Sequence, residues 1–191
     1  MVKIAVFVSG GGTNLQALID ACNENKINGE IKLVISSKAN AYGLIRAANS
    51  GIRGVYTKDD DVILAELKKE DIDLIVLAGY LAIVSEKLIN KYENKIINIH
   101  PSLIPSFCGP GFYGHHVHEA VYKRGVKLSG ATVHFVSNVV DGGPIILQRA
   151  IDISDCNSPE DIQSKILYNI EHKILVEAVK LYCDNKLKIE N

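Results

Sequence analysis

The sequence predicts an α/β fold: a doubly wound, mostly parallel twisted sheet with a Rossmann-like N-terminal half, an antiparallel hairpin extension and a long C-terminal helix. Three observations predict it. Strand-like and helix-like apolar periods alternate from residue 3 to residue 77, a glycine run follows the first strand, and two β-rich runs flank Asp141-Gly-Gly-Pro144. At 191 residues the chain reads as one domain, 1–191, long enough to bury about 70% of its unfolded surface. Residues 1–100 form the parallel half, and 101–191 add a loop, the hairpin and the last helix.

Residues 3–8 run apolar for too short a distance before the glycines to be a signal peptide or a membrane span, so they form a first strand. Leu15, Leu18, Ile19 and Cys22 then recur at helical spacing. A strand over 31–35, a helix over 41–50, a strand over 54–56, a helix over 62–67 and a strand over 74–77 follow. Parallel neighbours need such crossovers, which is why the alternation argues for a doubly wound sheet. Ile96-Ile97 reads as a short buried strand. Pro101 removes a backbone donor, so sheet pairing should stop about where Asn98 and His100 become available. Next come a Gly/Pro loop over 105–114, a short helix near 117–123, and a hairpin of 131–136 with 145–151. The last helix opens on Ser158-Pro159-Glu160-Asp161, a cap, a first-turn proline and acids on the positive dipole end, and runs to about Cys183. Its apolar row is Ile162, Ile166, Ile170 and Ile174.

Basic and acidic residues nearly balance, 21 against 22. No Lys/Arg cluster marks a track for a phosphate backbone, so neither nucleic acid nor a membrane is an expected partner. Cys22, Cys108, Cys156 and Cys183 show no metal-ligand spacing and read as reduced thiols of a cytoplasmic protein, with Cys108 the one placed to react. His115, His116 and His118 start a helix that scatters them over different faces, so no metal is expected there.

Asn98 and His100 stand two residues apart at a strand's end, where both side chains point the same way. They are either a satisfied structural pair or an amide that donates to an oxyanion beside an imidazole titrating near neutrality, which suits chemistry at a carbonyl. Asp141 is either a turn former or a carboxylate delivered to His100, where it would orient the ring and raise its pKa toward or above neutrality. Residues 9–14, Ser-Gly-Gly-Gly-Thr-Asn, join the first strand to the first helix. Successive backbone N–H groups and the helix dipole favour an anion there; a tight turn needing small residues is the alternative. The loop lacks the Lys-Ser/Thr of a Walker motif, Leu15 occupies the third glycine of the dinucleotide fingerprint, and Ser36-Ser37-Lys38 stands where a ribose-binding acid belongs. Glu171, between Leu167 and Leu175, is either solvated at the rim of the apolar stripe or inside a site that binds hydroxyls or an amine.

Together, residues 9–15, Leu77-Ala-Gly-Tyr80, Asn98-Ile-His-Pro-Ser-Leu-Ile-Pro105, His134-Phe-Val and Asp141-Gly-Gly-Pro-Ile-Ile-Leu-Gln148 resemble the phosphoribosylglycinamide formyltransferase family over nearly the whole chain. The Asn98 and Asp141 segments resemble folate-dependent formyltransferases in general, and the glycine loop with Thr13-Asn14 resembles the glycinamide ribonucleotide branch. The resemblance implies a one-domain transferase that moves the formyl group of 10-formyltetrahydrofolate to the primary amine of glycinamide ribonucleotide in purine synthesis, without a metal. It implies Asn98, His100 and Asp141 as the catalytic trio, with Gly12, Thr13 and Asn14 on the substrate phosphate. Glu171 would lie at the ribose and amine. Leu81, Ala82, Ile83 and Val84, with Asn98, would read the folate from one side, and Ser137, Asn138, Val139, Val140 and Asp141 from the other. The partners would be those two small molecules, and the protein a monomer or homodimer.

Three positions depart from the family's pattern: Ala82 stands where many relatives carry Arg, residues 58–64 offer no placeable ligand-binding base, and Tyr168 replaces the more usual Gln. The loop over 108–114 is longer than in some relatives and resembles a mobile cover. The alternatives are a formyltransferase for another acceptor, a 10-formyltetrahydrofolate hydrolase, and, from another class, a noncatalytic nucleotide-binding module. The first two would be expected to carry a further C-terminal or N-terminal domain, and the module would carry the glycine loop without Asn98, His100 and Asp141.

Overall fold

The computed structural model describes residues 1–187. Along the chain lie β1 (Val2–Val8), α1 (Thr13–Asn23), β2 (Gly29–Ser36), α2 (Tyr42–Asn49), β3 (Arg53–Tyr56), α3 (Asp60–Lys69), β4 (Leu74–Leu77), α4 (Glu86–Lys91) and β5 (Ile96–His100). Then come α5 (His115–Arg124), β6 (Leu128–Phe135), β7 (Ile145–Asp152), α6 (Pro159–Ile166), a π-helical turn (Leu167–Glu171) and α7 (His172–Cys183). The strands form one sheet in the order β3-β2-β1-β4-β5-β6-β7. The first five are parallel, and β6 and β7 run antiparallel. The fold is the doubly wound one that the alternation predicts.

Alternation along β1 assigns the two faces. Ile4, Val6 and Val8 pack with buried residues of α1 and of the C-terminal helices, while Ala5 and Phe7 pack with Ile63, Leu67, Leu88 and Ile89 of α3 and α4. The strand order reverses between β1 and β4, which opens a crevice outside their carboxyl ends. The glycine loop leaves β1 there, and Leu81, Ala82, Ile83 and Val84 follow β4 without regular structure.

Two of three local expectations need correction. The sequence pattern gives no helix over 86–91, yet the Ser85 hydroxyl accepts from Leu88 N–H and starts α4, which is too short to show a helical period. Pairing of β5 stops where the sequence places it: the parallel ladder with β4 ends at Asn98, and the antiparallel ladder with β6 ends at His100 opposite Thr132, just before Pro101, which lacks its donor. The last helix is not one regular element: the wide turn at Leu167–Glu171 lets Ile170 and Glu171, adjacent in sequence, both face inward, at 8% and 7% exposure.

Candidate active site

At the β1 end of the crevice, Gly12 adopts φ 67° as the cap of α1. A Cβ at Gly12 would lie 2.7 Å from Gly43 Cα, so a glycine is required for backbone contact with α2. Gly10 and Gly11 have open space where a side chain would go. A tight turn therefore accounts for Gly12 but not for its two neighbours. α1 has no side-chain cap and no acid in its first turn, so the N–H groups there, including that of Thr13, remain available to an anion.

Asn14 is buried, and its side chain faces inward, where Nδ2 donates to Glu171 Oε2 at 2.8 Å. Only the Asn14 backbone can serve the loop. Asn14 Oδ1 is buried without a partner, and burial pushes the Glu171 carboxyl up to about 7 against the pull of the Asn14 amide. Glu171 is thus buried against Asn14 rather than solvated at the rim, and the π-helical turn is what puts it there.

At the β5 end, Asn98 and His100 point to one side and meet two further residues. His100 Nε2–H donates to the Phe107 carbonyl at 2.9 Å, so a neutral ring leaves Nδ1 unprotonated. Nδ1 lies 3.6 Å from Asp141 Oδ2, and His134 Nε2 lies 3.6 Å from Asp141 Oδ1. Both gaps exceed a direct hydrogen bond. His134 Nδ1–H donates to the Phe135 carbonyl, and its Nε2 accepts from Asn98 Nδ2 at 3.1 Å, which fixes the way the amide faces. His134 has no role in the sequence reading. Its signal is its register position, directly opposite Asn98 in β6, where the run is otherwise apolar or hydroxylic.

Asp141 itself takes φ 54°, so the left-handed residue of the Asp-Gly-Gly turn is the aspartate and not a glycine. Gly143 is required for a different reason: a Cβ would stand 1.8 Å from the Phe135 carbonyl oxygen. Burial pushes the Asp141 carboxyl up, but the His134 ring, the Gly109 N–H at 2.9 Å and, when protonated, the His100 ring hold it below its ordinary value. The expected rise in the His100 pKa is not found. Burial lowers it, and Asp141 and the Phe107 carbonyl restore only part of the loss. A resting site therefore holds an ionised Asp141 beside a neutral His100.

The two ends are joined by contacts. Ser9 Oγ, buried at the close of β1, accepts from Leu81 N–H at 2.8 Å. The Leu81 side chain lies 3.7 Å from where a Gly114 Cβ would be, and Gly109 at the other end of that loop holds Asp141. Leu81, Ile83, Val139 and Val140 leave apolar surface exposed around the site, while Ala82 and Val84 lie beside them in the first segment and Ser137 and Asn138 in the second. Burial and the Asp141 charge push the Cys108 thiol up, which disfavours the thiolate that a reactive cysteine needs. His115 and His116 pair with Glu160 and Glu119 on the surface, and burial lowers His118 to about 4.

The sequence pattern of the family described as formyl transferase matches residues 2–179. The phosphoribosylglycinamide formyltransferase of Haemophilus influenzae is 38% identical over all of this chain and 92% of its own length. The chain belongs to this family of formyltransferases. A glycinamide ribonucleotide transformylase from Symbiobacterium toebii superposes with TM-score 0.92 at 38% identity, covering all of this chain and 92% of that one. Chloroplastic relatives from Arabidopsis thaliana and Vigna unguiculata are 35% and 36% identical over 97% of the chain, which spans 67% and 62% of their lengths. The Symbiobacterium toebii structure thus shares the overall fold of this chain.

Proposed function

We propose that this chain transfers the formyl group of 10-formyltetrahydrofolate to the primary amine of glycinamide ribonucleotide, the step of purine synthesis that its relatives' names describe. The observation that carries the reading is the Asp141 carboxylate standing 3.6 Å from each of two imidazoles, beside a positioned amide and across the crevice from a loop suited to phosphate. Gly12, Thr13 and the Asn14 backbone hold the phosphate, and Glu171 takes the ribose hydroxyls and amine. Leu81, Ala82, Ile83 and Val84 on one side and Ser137, Asn138, Val139 and Val140 on the other bind the folate. Support for that pocket is its exposed apolar surface next to a polar centre.

As the amine nitrogen bonds to the formyl carbon, the carbonyl becomes an oxyanion, and the remaining Asn98 N–H donates to it, a contact typically worth about 3 kcal/mol. His100 Nδ1, unprotonated at rest, takes the proton released by the amine. Asp141 stabilises the imidazolium so formed. His100 then gives that proton to the folate nitrogen as its bond to carbon breaks, leaving formylated amine and tetrahydrofolate. The Phe107 carbonyl keeps Nε2 occupied throughout, so a single nitrogen carries the proton. A cytoplasmic location belongs to the same reading, supported by four free thiols. Among the described residues no helix is long and apolar enough to cross a membrane.

The test is tetrahydrofolate release from 10-formyltetrahydrofolate with and without glycinamide ribonucleotide. Release that requires this amine and yields formylated product is expected. Release without any amine would mean a hydrolase, and release only with another amine would reassign the acceptor.

A further inference from the structure

We infer that Arg46, on α2 outside the catalytic cluster, is a positioning residue that aims the glycine loop's N–H groups at the substrate phosphate. The inference rests on the proposed reading of that loop as the phosphate seat.

Two hydrogen bonds from α2 hold the loop by its carbonyls. Gly43 N–H donates to the Gly10 carbonyl at 3.0 Å, and Arg46 Nε–H donates to the Gly11 carbonyl at 2.8 Å. In a planar trans peptide the C=O and the next residue's N–H point in opposite directions. Fixing the Gly10 carbonyl toward α2 therefore turns the Gly11 N–H away from it, and fixing the Gly11 carbonyl does the same to the Gly12 N–H. Among the described residues neither N–H has a partner in the protein. Both are left facing the crevice, side by side, where an anion can take them.

Arg46 is itself held in place. Its guanidinium stacks over the Tyr42 ring at 5.1 Å, and its Nη1 donates to Gln16 Oε1 at 3.1 Å. Gln16 is in turn tied to Asp20 along α1, by Nε2 to Oδ1 at 2.9 Å. The Arg46 stem lies 3.4 Å from where a Gly12 Cβ would be, so the side chain packs along the loop it holds. Its observed acceptors, a backbone carbonyl and an amide, are both neutral. Among the described residues no carboxylate pairs with it, so the positive charge adds to the attraction for a phosphate dianion. A lysine could keep the charge, but it lacks the in-plane Nε donor that sets the Gly11 peptide.

Arg46→Met and Arg46→Lys test this, with inorganic phosphate as a competitor of glycinamide ribonucleotide. Arg46→Met should raise both the KM for glycinamide ribonucleotide and the inhibition constant of phosphate about tenfold, the size expected for one charge-assisted bond. Turnover at saturation and the folate KM should stay within about twofold, a split that general loosening of the fold would not give. Arg46→Lys should recover less than half of the loss on a logarithmic scale. Full recovery by lysine would show that charge alone matters and overturn the positioning role. So would unchanged phosphate inhibition in Arg46→Met, or an equal rise in both KM values. If phosphate fails to compete in the wild-type enzyme, the loop is no phosphate seat, and the inference falls with that reading before any variant is made.

Discussion

The two ends of the crevice are made of different groups. At the β1 end the groups offered to a ligand are backbone N–H groups, aimed by the contact of Gly12 on Gly43 and by hydrogen bonds from α2. At the β5 end they are side chains that titrate, and burial together with their mutual contacts sets their protonation. The difference separates the kinds of change each end should feel. Altered shape should weaken binding at the first end, and altered charge should stop turnover at the second.

The largest expected effect is at the charged end. Asp141→Asn keeps the size and much of the hydrogen bonding but removes the charge that stabilises the His100 imidazolium. Turnover should fall at least about a hundredfold, the lower range for a positioned acid or base, while both substrate affinities change far less. Steady-state kinetics alongside thermal unfolding measures this. A folded variant with near-normal turnover would make Asp141 a turn residue and erase the distinction.

Glu171 breaks the pattern, since it is a titrating group at the β1 end. Its carboxyl sits at about 7 when folded, against 4.5 for the ordinary group. Below the lower value both folded and unfolded chains hold the proton, and the full contribution to stability is present. As pH rises toward and through the upper value the folded protein keeps a proton that the unfolded chain has released, so stability falls, by about 3 kcal/mol when complete. His100 and His118 act oppositely, because their lowered values favour the folded state above the ordinary histidine value and lose that contribution as pH falls. Glu171→Gln isolates the carboxyl. In denaturant unfolding the variant should match the wild type near about pH 4 and exceed it near about pH 8. A difference that does not vary with pH would show that Glu171 is solvated in the folded protein.

The glycines sharpen the comparison within one loop. Gly11→Val adds a side chain in open space on the loop proposed to hold the phosphate, and should raise the KM for glycinamide ribonucleotide about tenfold with little loss of stability. Gly12→Ala forces a positive φ and a clash with Gly43 Cα, and should cost about 1–3 kcal/mol of stability. Thermal unfolding and KM, measured for both, should move in opposite proportion. Equal stability losses would make the whole loop a structural turn.

Continuous apolar runs and the period of 3.6 carried most of the fold, because β1 and β4 are apolar and buried on both faces, α1 repeats its core positions at helical spacing, and glycines follow β1 and β4. What escaped has a physical reason in each case. The π-helical turn is invisible because the i,i+4 row from Ile162 to Ile174 passes through it unbroken. His134 sits inside an apolar strand, and only the register of β6 against β5 reveals that it faces Asn98. The direction of the His100 shift depends on how deeply the ring is buried, which no local pattern encodes. Asn14 was legible as a loop residue but not as the partner of Glu171, a contact made across 157 positions.

The smallest effect is expected at Ser9, which joins the two ends. Its hydroxyl accepts from Leu81 N–H and bonds Ser37 Oγ at 2.6 Å, so one side chain ties the start of the glycine loop to the segment proposed to read the folate. Ser9→Ala removes both bonds and leaves the Leu81 N–H buried beside a methyl group. The loss of stability should be about 1–2 kcal/mol. If the tie only holds the fold, neither KM changes in the folded variant. If it transmits position between the ends, the KM values for the folate and for glycinamide ribonucleotide should rise together, each about threefold, with turnover nearly unchanged. We expect the joint rise, since Ser9 and Leu81 each adjoin a segment that binds a different substrate. The decisive measurement is the affinity for one substrate with and without the other in wild type and variant. A coupling factor unchanged by Ser9→Ala would leave the two ends independent, joined by packing alone.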